Sequence, residues 1–284
     1  MKDNFYVSSL AFDGKRLSQI CDFSYSHNFN LEFSSNLPYL ENNIEYFNKY
    51  PKKKLIHNYF PSPKNPFVIN LASEDKNILN KSIEHSKLNI ERTSEHELPF
   101  YAVHAGFCID PKISSLGKLI KGKKEFDRSR NRDIFHKSLN ELVKYATDFG
   151  VDLLIENNVL SAKNFLGNSS QNIFLCVESD EIIEVLDQIN SPNIGLLLDT
   201  GHLKVSSTSL GKNIFVEVSR ILPYVKAVHH SDNDGFSDNN KAIDENYWFL
   251  SFMKDLNKSH HVLEVKNINA ESIKTQLKIL KDAI

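Results

Sequence analysis

Four short apolar stretches of this sequence end on, or carry, a side chain able to ligate a metal ion. In N-I-G-L-L-L-D-T-G-H-L-K (193–204), an apolar run stops abruptly at Asp199 and His202 follows three positions later. D-L-L-I-E-N-N (152–158) ends in Glu156, V-K-A-V-H-H-S-D-N (225–233) delivers His229, and H-V-L-E-V-K (261–266) carries Glu264. Converging nitrogen and oxygen ligands of this kind suit one hard or borderline divalent cation. A single carboxylate at a strand end is quite often a rim hydrogen-bond acceptor. Four ligand-type groups at successive strand ends are hard to explain that way, because unpaired buried charge is costly.

Runs this apolar are best buried on both faces, as in a parallel sheet, and such sheets do chemistry at their carboxyl edge. The length of 284 residues fits one α/β barrel, which typically needs about 250. With 40% hydrophobic and 25% charged residues the composition is that of an ordinary globular protein. A net charge of −2 gives no global attraction to nucleic acid or to an anionic membrane. Cys21, Cys108 and Cys176 are widely spaced and lack C-x-x-C pairing, so buried free thiols are expected. No signal-peptide region opens the chain and no long uncharged apolar run occurs, which gives a cytoplasmic address by elimination.

Strands are expected at 5–12, 31–34, 54–60, 99–107, 151–156, 194–198, 225–229 and 261–265. Helical spacing falls at 17–23, 37–50, from an N-cap at Ser73 to about 90, and at 131–149, 180–189, 213–222, 248–256 and 270–283. Eight strand-then-helix alternations, with right-handed crossovers between parallel strands, predict a single (β/α)8 TIM barrel over 1–284. The connection at 109–132 is long for such a fold and is therefore suspected of function.

Taken in order, I-E-N-N (155–158), L-D-T-G-H (198–202), V-H-H-S-D-N (228–233) and L-E-V-K (263–266) resemble the xylose isomerase-like TIM-barrel superfamily, over essentially the whole barrel. That superfamily holds sugar isomerases, ketose 3-epimerases and type IV apurinic endonucleases. The resemblance implies a divalent ion (Mn2+, Mg2+, Co2+ or Zn2+) on Glu156, Asp199, His229 and Glu264, with His202 beside the substrate. Similarity to the nuclease branch adds His57 and His104 (in H-A-G-F) as further ligands or substrate contacts, and I-N-L-A-S (69–73) is also similar to it. The nuclease's Asp-x-His after strand seven is met only by Asp238-Asn239-Asn240, which speaks against a trinuclear zinc cluster.

Shifting a proton next to a carbonyl needs an electrophile at the oxygens and a base on the face of the hydrogen. Glu156 and Glu264 could serve the two faces of one carbon, giving epimerisation, or isomerisation if the proton returns to the neighbouring carbon. The substrate is then a small sugar or sugar phosphate, and self-association into a homo-oligomer is left open. The rival activity is phosphodiester cleavage of the apurinic endonuclease type, disfavoured by the near-neutral charge and by Asn240. A third reading, a non-catalytic binding or scaffold barrel, is opposed by the intact glutamate pair.

Asp232 is a candidate to orient His229 or a substrate hydroxyl. Lys266, on the face of Glu264 by period two, is a candidate substrate contact or rim salt bridge. His230 points away from His229 and is expected to be structural. Tyr59, Phe60, Phe107 and Trp248 are candidates for an apolar wall. Between Lys112 and Arg132 lie Lys118, Lys121, Lys123, Lys124, Arg128 and Arg130, against only Glu125 and Asp127. This loop would grip a phosphate, or form the solvated charge run that an isolated basic loop usually is.

Overall fold

Every strand of this chain is short, because each crosses only the wall of a barrel before handing a polar residue to its mouth. The computed structural model describes residues 4–120, 125–165, 172–266 and 268–284. Its first half runs β1 (Phe5–Ser8), α1 (Leu17–Ser26), β2 (Leu31–Phe33), α2 (Asn43–Lys49), β3 (Lys54–His57), α3 (Lys76–Glu95), β4 (Phe100–His104) and α4 (Arg128–Asp148). The second half continues with β5 (Asp152–Glu156), α5 (Ser179–Ile189), β6 (Ile194–Asp199), α6 (Thr200–Leu210), α7 (Ile214–Ile221), β7 (Val225–His230), β8 (His260–Leu263) and α8 (Ala270–Asp282). All strands are parallel, and β1 pairs with β8 to close the barrel in the order expected.

Differences from the sequence reading have local causes. Asp199 caps α6, which begins directly at Thr200; the spacing placed the helix of this crossover only at 213–222. The reason is composition: T-G-H-L-K-V-S-S-T-S-L has a weak amphipathic pattern because both its faces are buried or nearly so. Residues 9–12 turn into a 3-10 segment instead of prolonging β1, and 248–256 is 3-10 rather than α. Helix α3 is capped by Asp75, whose Oδ1 accepts from Asn77 N at 2.8 Å, while Ser73 bonds Asp110 Oδ2 at 2.8 Å. Among the described residues no helix is long and apolar enough to cross a membrane, and all three cysteines are free and buried.

The barrel interior is layered. Tyr6, Leu55, Phe100, Ala102, Leu154, Leu197, Ala227 and Val262 form an apolar plug inside the strands. Two residues further along six of those strands stand His57, His104, Glu156, Asp199, His229 and Glu264. Period-two alternation therefore puts each of them on the interior face, one step above the plug.

Leu197 is fully buried at the centre of that plug. Leu197→Ala is expected to destabilise the protein by about 2–5 kcal/mol through lost transfer energy and a residual cavity, read from the urea midpoint; a loss below about 1 kcal/mol would show that the plug does not set the stability of the barrel.

Candidate metal centre

The strand ends meet. His229 Nδ1 lies 3.0 Å from Glu264 Oε2, 3.3 Å from Glu156 Oε1 and 3.9 Å from Asp199 Oδ2. One ligand atom from each of Glu156, Asp199, His229 and Glu264 falls within 4.8 Å of all the others. Of the four, Glu264 is the most accessible, at only 8% exposure, so water does not neutralise the group.

Local structure turns one ligand atom of Asp199 and one of His229 toward the centre. Asp199 Oδ1 accepts from His202 N at 2.7 Å as the cap of α6, so Oδ2 faces inward. His229 Nε2 bonds Glu32 Oε2 at 2.9 Å, which directs Nδ1 to the carboxylates. Asp199 Oδ2 and His229 Nδ1 are buried without a hydrogen bond of good geometry. Such orphans are rare in folded proteins, and a divalent ion among these atoms would satisfy them.

The motifs around the ligands fasten neighbouring strands. Asn157 brackets the Asp199 backbone: its Oδ1 accepts from Asp199 N at 2.8 Å and its Nδ2 donates to Asp199 O at 3.1 Å. Asn158 Nδ2 reaches the carbonyls of Ala105 and Gly106 just past β4. Thr200 Oγ1 donates to His229 O at 3.0 Å and accepts from the Tyr247 hydroxyl at 2.6 Å. Gly201 is required by close approach, since a Cβ there would lie 2.6 Å from Ser231 Oγ.

Electrostatics carry the same message. Burial pushes Asp199 well above the usual carboxylate range; His202 opposes this, but Glu264, Asp238 and Glu156 add to it. For Glu264, burial is outweighed by His229, which brings it down to about 2. Glu156 is likewise held well below its ordinary value, because His104 and His57 outweigh its burial. Burial alone would lower His229, yet Glu264 and Glu32 raise it well above the normal imidazole range. Negative charge is in surplus here, and the imidazoles are drawn into offsetting it.

His57 and His104 belong to the same assembly. His57 Nε2 stands 3.1 Å, and His104 Nδ1 2.9 Å, from Glu156 Oε2. Glu156 thus turns one oxygen to the quartet and the other to this histidine pair, and His57, His104 and Glu156 form a second possible ligand set. His202 Nδ1 is 2.8 Å from Asn157 O, and its Nε2 is 3.3 Å from Asp238 Oδ2. Sequence reasoning missed two participants. Glu32, fully buried in β2, was readable as a carboxylate flanked by Leu31 and Phe33; Asp238 was noted only for the histidine lacking after it.

Other candidates lie apart. Asp232 is engaged by Lys204 Nζ at 2.5 Å, Lys266 is exposed, and neither lines the cavity above the centre. His230 is buried and bonded to His261, as expected of a structural residue. Tyr59 and Phe107 line the cavity, whereas Phe60 packs with Phe33 and Phe47 in the core and Trp248 lies against Phe215. In the described part of the basic connection Arg128 pairs with Glu181, Arg130 with Glu74 and Arg132 with Glu184, while Lys118 lines the cavity. Lys121, Lys123 and Lys124 lie outside the described residues.

A closed parallel barrel with a buried carboxylate–imidazole cluster at the carboxyl ends of its strands defines a TIM barrel with a centre that could hold a divalent cation. The family model described as xylose isomerase-like TIM barrel matches residues 29–283, and the chain belongs to that family. The uncharacterized protein MJ1311 of Methanocaldococcus jannaschii is 25% identical over 289 residues, covering 98% of this chain and 88% of that protein. Among solved structures, a D-tagatose 3-epimerase-like protein superposes with TM-score 0.72 at 23% identity, covering 98% of this chain and 96% of that one. D-psicose 3-epimerase from Clostridium cellulolyticum H10 gives 0.63 at 14% identity, covering 98% of this chain and 94% of that one. At these identities the structural likeness establishes the barrel.

An ion held by the quartet stabilises the folded state, by about 2.7 kcal/mol at an ion concentration roughly a hundred times its dissociation constant. Mn2+ is therefore expected to raise the melting temperature of the native protein but not of Asp199→Ala, measured by thermal denaturation with and without EDTA. Equal shifts in both proteins would show that the quartet does not hold the ion.

Proposed function

We propose that the protein is a metal-dependent sugar isomerase or epimerase working by carboxylate-mediated proton transfer. The observation that carries this reading is the convergence of Glu156 and Glu264 from two strands on His229 Nδ1, 3.3 and 3.0 Å from it. A divalent ion bound there supplies positive charge beside the hydroxyl and carbonyl oxygens of a ketose, which makes the intervening C–H acidic. Glu156 and Glu264 would address one carbon, one as carboxylate taking its proton and the other, protonated from solvent, delivering a proton to the opposite face. The neighbouring imidazoles favour the ionised form of both, which suits whichever of the two is the acceptor. His202, buried beside them and bonded to Asn157 O, presents Nε2 to the cavity next to Asp238, where a substrate hydroxyl would be received. The epimerases among the structural relatives support this reading.

A second reading, metal-assisted phosphodiester hydrolysis, is favoured by the His57–His104–Glu156 set, which offers a second ion a place against the first. Ion stoichiometry separates the two. One tightly bound divalent ion per chain, by plasma emission spectrometry after dialysis, is expected for the isomerase; two or more would favour hydrolysis.

Glu264→Gln should retain the fold by circular dichroism and lose at least roughly a hundredfold in turnover, consistent with removal of an acid–base group. The assay is deuterium incorporation into candidate ketoses in heavy water. Full wash-in by the variant would remove Glu264 from the chemistry.

A further inference from the structure

Above the centre opens a cavity of about 640 Å3, within the range of pockets that enclose drug-sized ligands. Its floor is polar, with His104, His202 and Asp238 exposed to it. Its walls are different. Tyr59 packs edge-on against Phe67, and Phe107 against Phe174, each with ring centroids 5.7 Å apart. Tyr39 and Leu116 carry the apolar surface outward to the rim, where both are exposed.

The polar atoms of these walls are largely committed to holding the walls together. Asn158 Nδ2 is spent on backbone carbonyls, including Leu175 O at 3.0 Å. Asn164 accepts from Ile120 N and donates to Lys118 O, at 3.0 and 3.1 Å. The Tyr59 hydroxyl accepts from Phe67 N at 2.5 Å, and Lys163 Nζ donates to Gly117 O at 3.0 Å. Arg128, Arg130 and Arg132 are paired to glutamates and stand outside the cavity lining, so the positive charge in the described part of this mouth is that of Lys118 and Lys163, the latter tied to Gly117 O. A bare sugar, hydroxylated on every side, would turn some of its hydroxyls against the rings of Tyr59, Phe67, Phe107 and Phe174, where they find no partner.

We infer that the substrate is a sugar bearing an apolar substituent, an aryl or alkyl group joined to the sugar, with the sugar on the polar floor and the substituent against the aromatic wall. This rests on the sugar-directed reading above and narrows it: the specificity lies in the wall, away from the ligands. Aromatic wall residues suit a flat apolar group, which they contact at low entropic cost.

The test is isothermal titration of the Mn2+-loaded protein with p-nitrophenyl and methyl glycosides of glucose, galactose, xylose and ribose, alongside glucose 6-phosphate. For at least one sugar the p-nitrophenyl glycoside should bind about tenfold more tightly than its methyl counterpart, and more tightly than the sugar phosphate. Leu116→Asp and Ile113→Asp, at exposed rim positions with the fold checked by circular dichroism, should each remove most of that gain. Equal affinity within every pair, no binding of any aryl glycoside, tighter binding of the phosphate, or variants that keep the gain would each overturn the inference. Deuterium wash-in keeps the two readings apart. Aryl preference without wash-in from any ketose leaves the substrate class standing and removes the isomerase. Wash-in from bare ketoses without aryl preference does the reverse.

Discussion

The constraint on which this structure turns is the surplus of negative charge sealed into the mouth of the barrel. Glu32, Glu156, Asp199 and Glu264 are buried together, and among the described residues their ion-pair partners are imidazoles, not lysine or arginine. Carboxylates in such a place either take up protons or require a cation. Asp199 and Glu264 show both responses side by side, the first pushed up and the second pulled down by His229. A divalent ion would resolve the conflict in one step, and each ligand already keeps an atom turned toward the place it would take.

The barrel makes this tolerable by dividing labour along each strand. The apolar plug fills the lower interior, where side-chain volume must be matched, and the next interior position carries the charge. Because the strands are hydrogen-bonded in fixed register, with Glu156 opposite Leu197 and Asp199 opposite His229, the ligands cannot drift apart without breaking the sheet. Asn157 and Thr200 then lock adjacent strand ends, so that the residues between the ligands in I-E-N-N and D-T-G-H serve position rather than chemistry.

Much of this was legible in the sequence because its signals were local. An apolar run ending in Asp199, Glu156 or His229 announces both a buried parallel strand and the group at its end. Helix α6 was not legible, since burial on nearly every side erases amphipathic spacing. Glu32 escaped for the opposite reason: β2 has only three residues, too few to show that the charge in its middle faces inward. Asp232 and Lys266 lie as near in sequence to the strand ends as the clustered residues do, yet Asp232 is held by Lys204 and Lys266 lies exposed beyond the end of β8. The apolar wall was legible only in part, through Tyr59 and Phe107, because Phe67 and Phe174 that pack against them come from separate loops that meet only when the barrel closes.

Position 240 shows how backbone needs can decide chemistry. Asp238 reaches His202 Nε2 at 3.3 Å, so the loop after β7 already turns one carboxylate toward the centre. Asn240 sits two residues on, buried, with φ at 45° and its carbonyl accepting from Lys266 N at 3.0 Å. In that role it ties the loop after β7 to the chain leaving β8, and asparagine tolerates the left-handed conformation better than most residues. A residue fixed by its backbone at a positive φ serves the loop first, and the amide side chain of asparagine is a poor substitute for imidazole as a ligand to zinc. The ligand-type groups are therefore densest around Glu156, which meets His57, His104 and His229, and thinner toward Asp238.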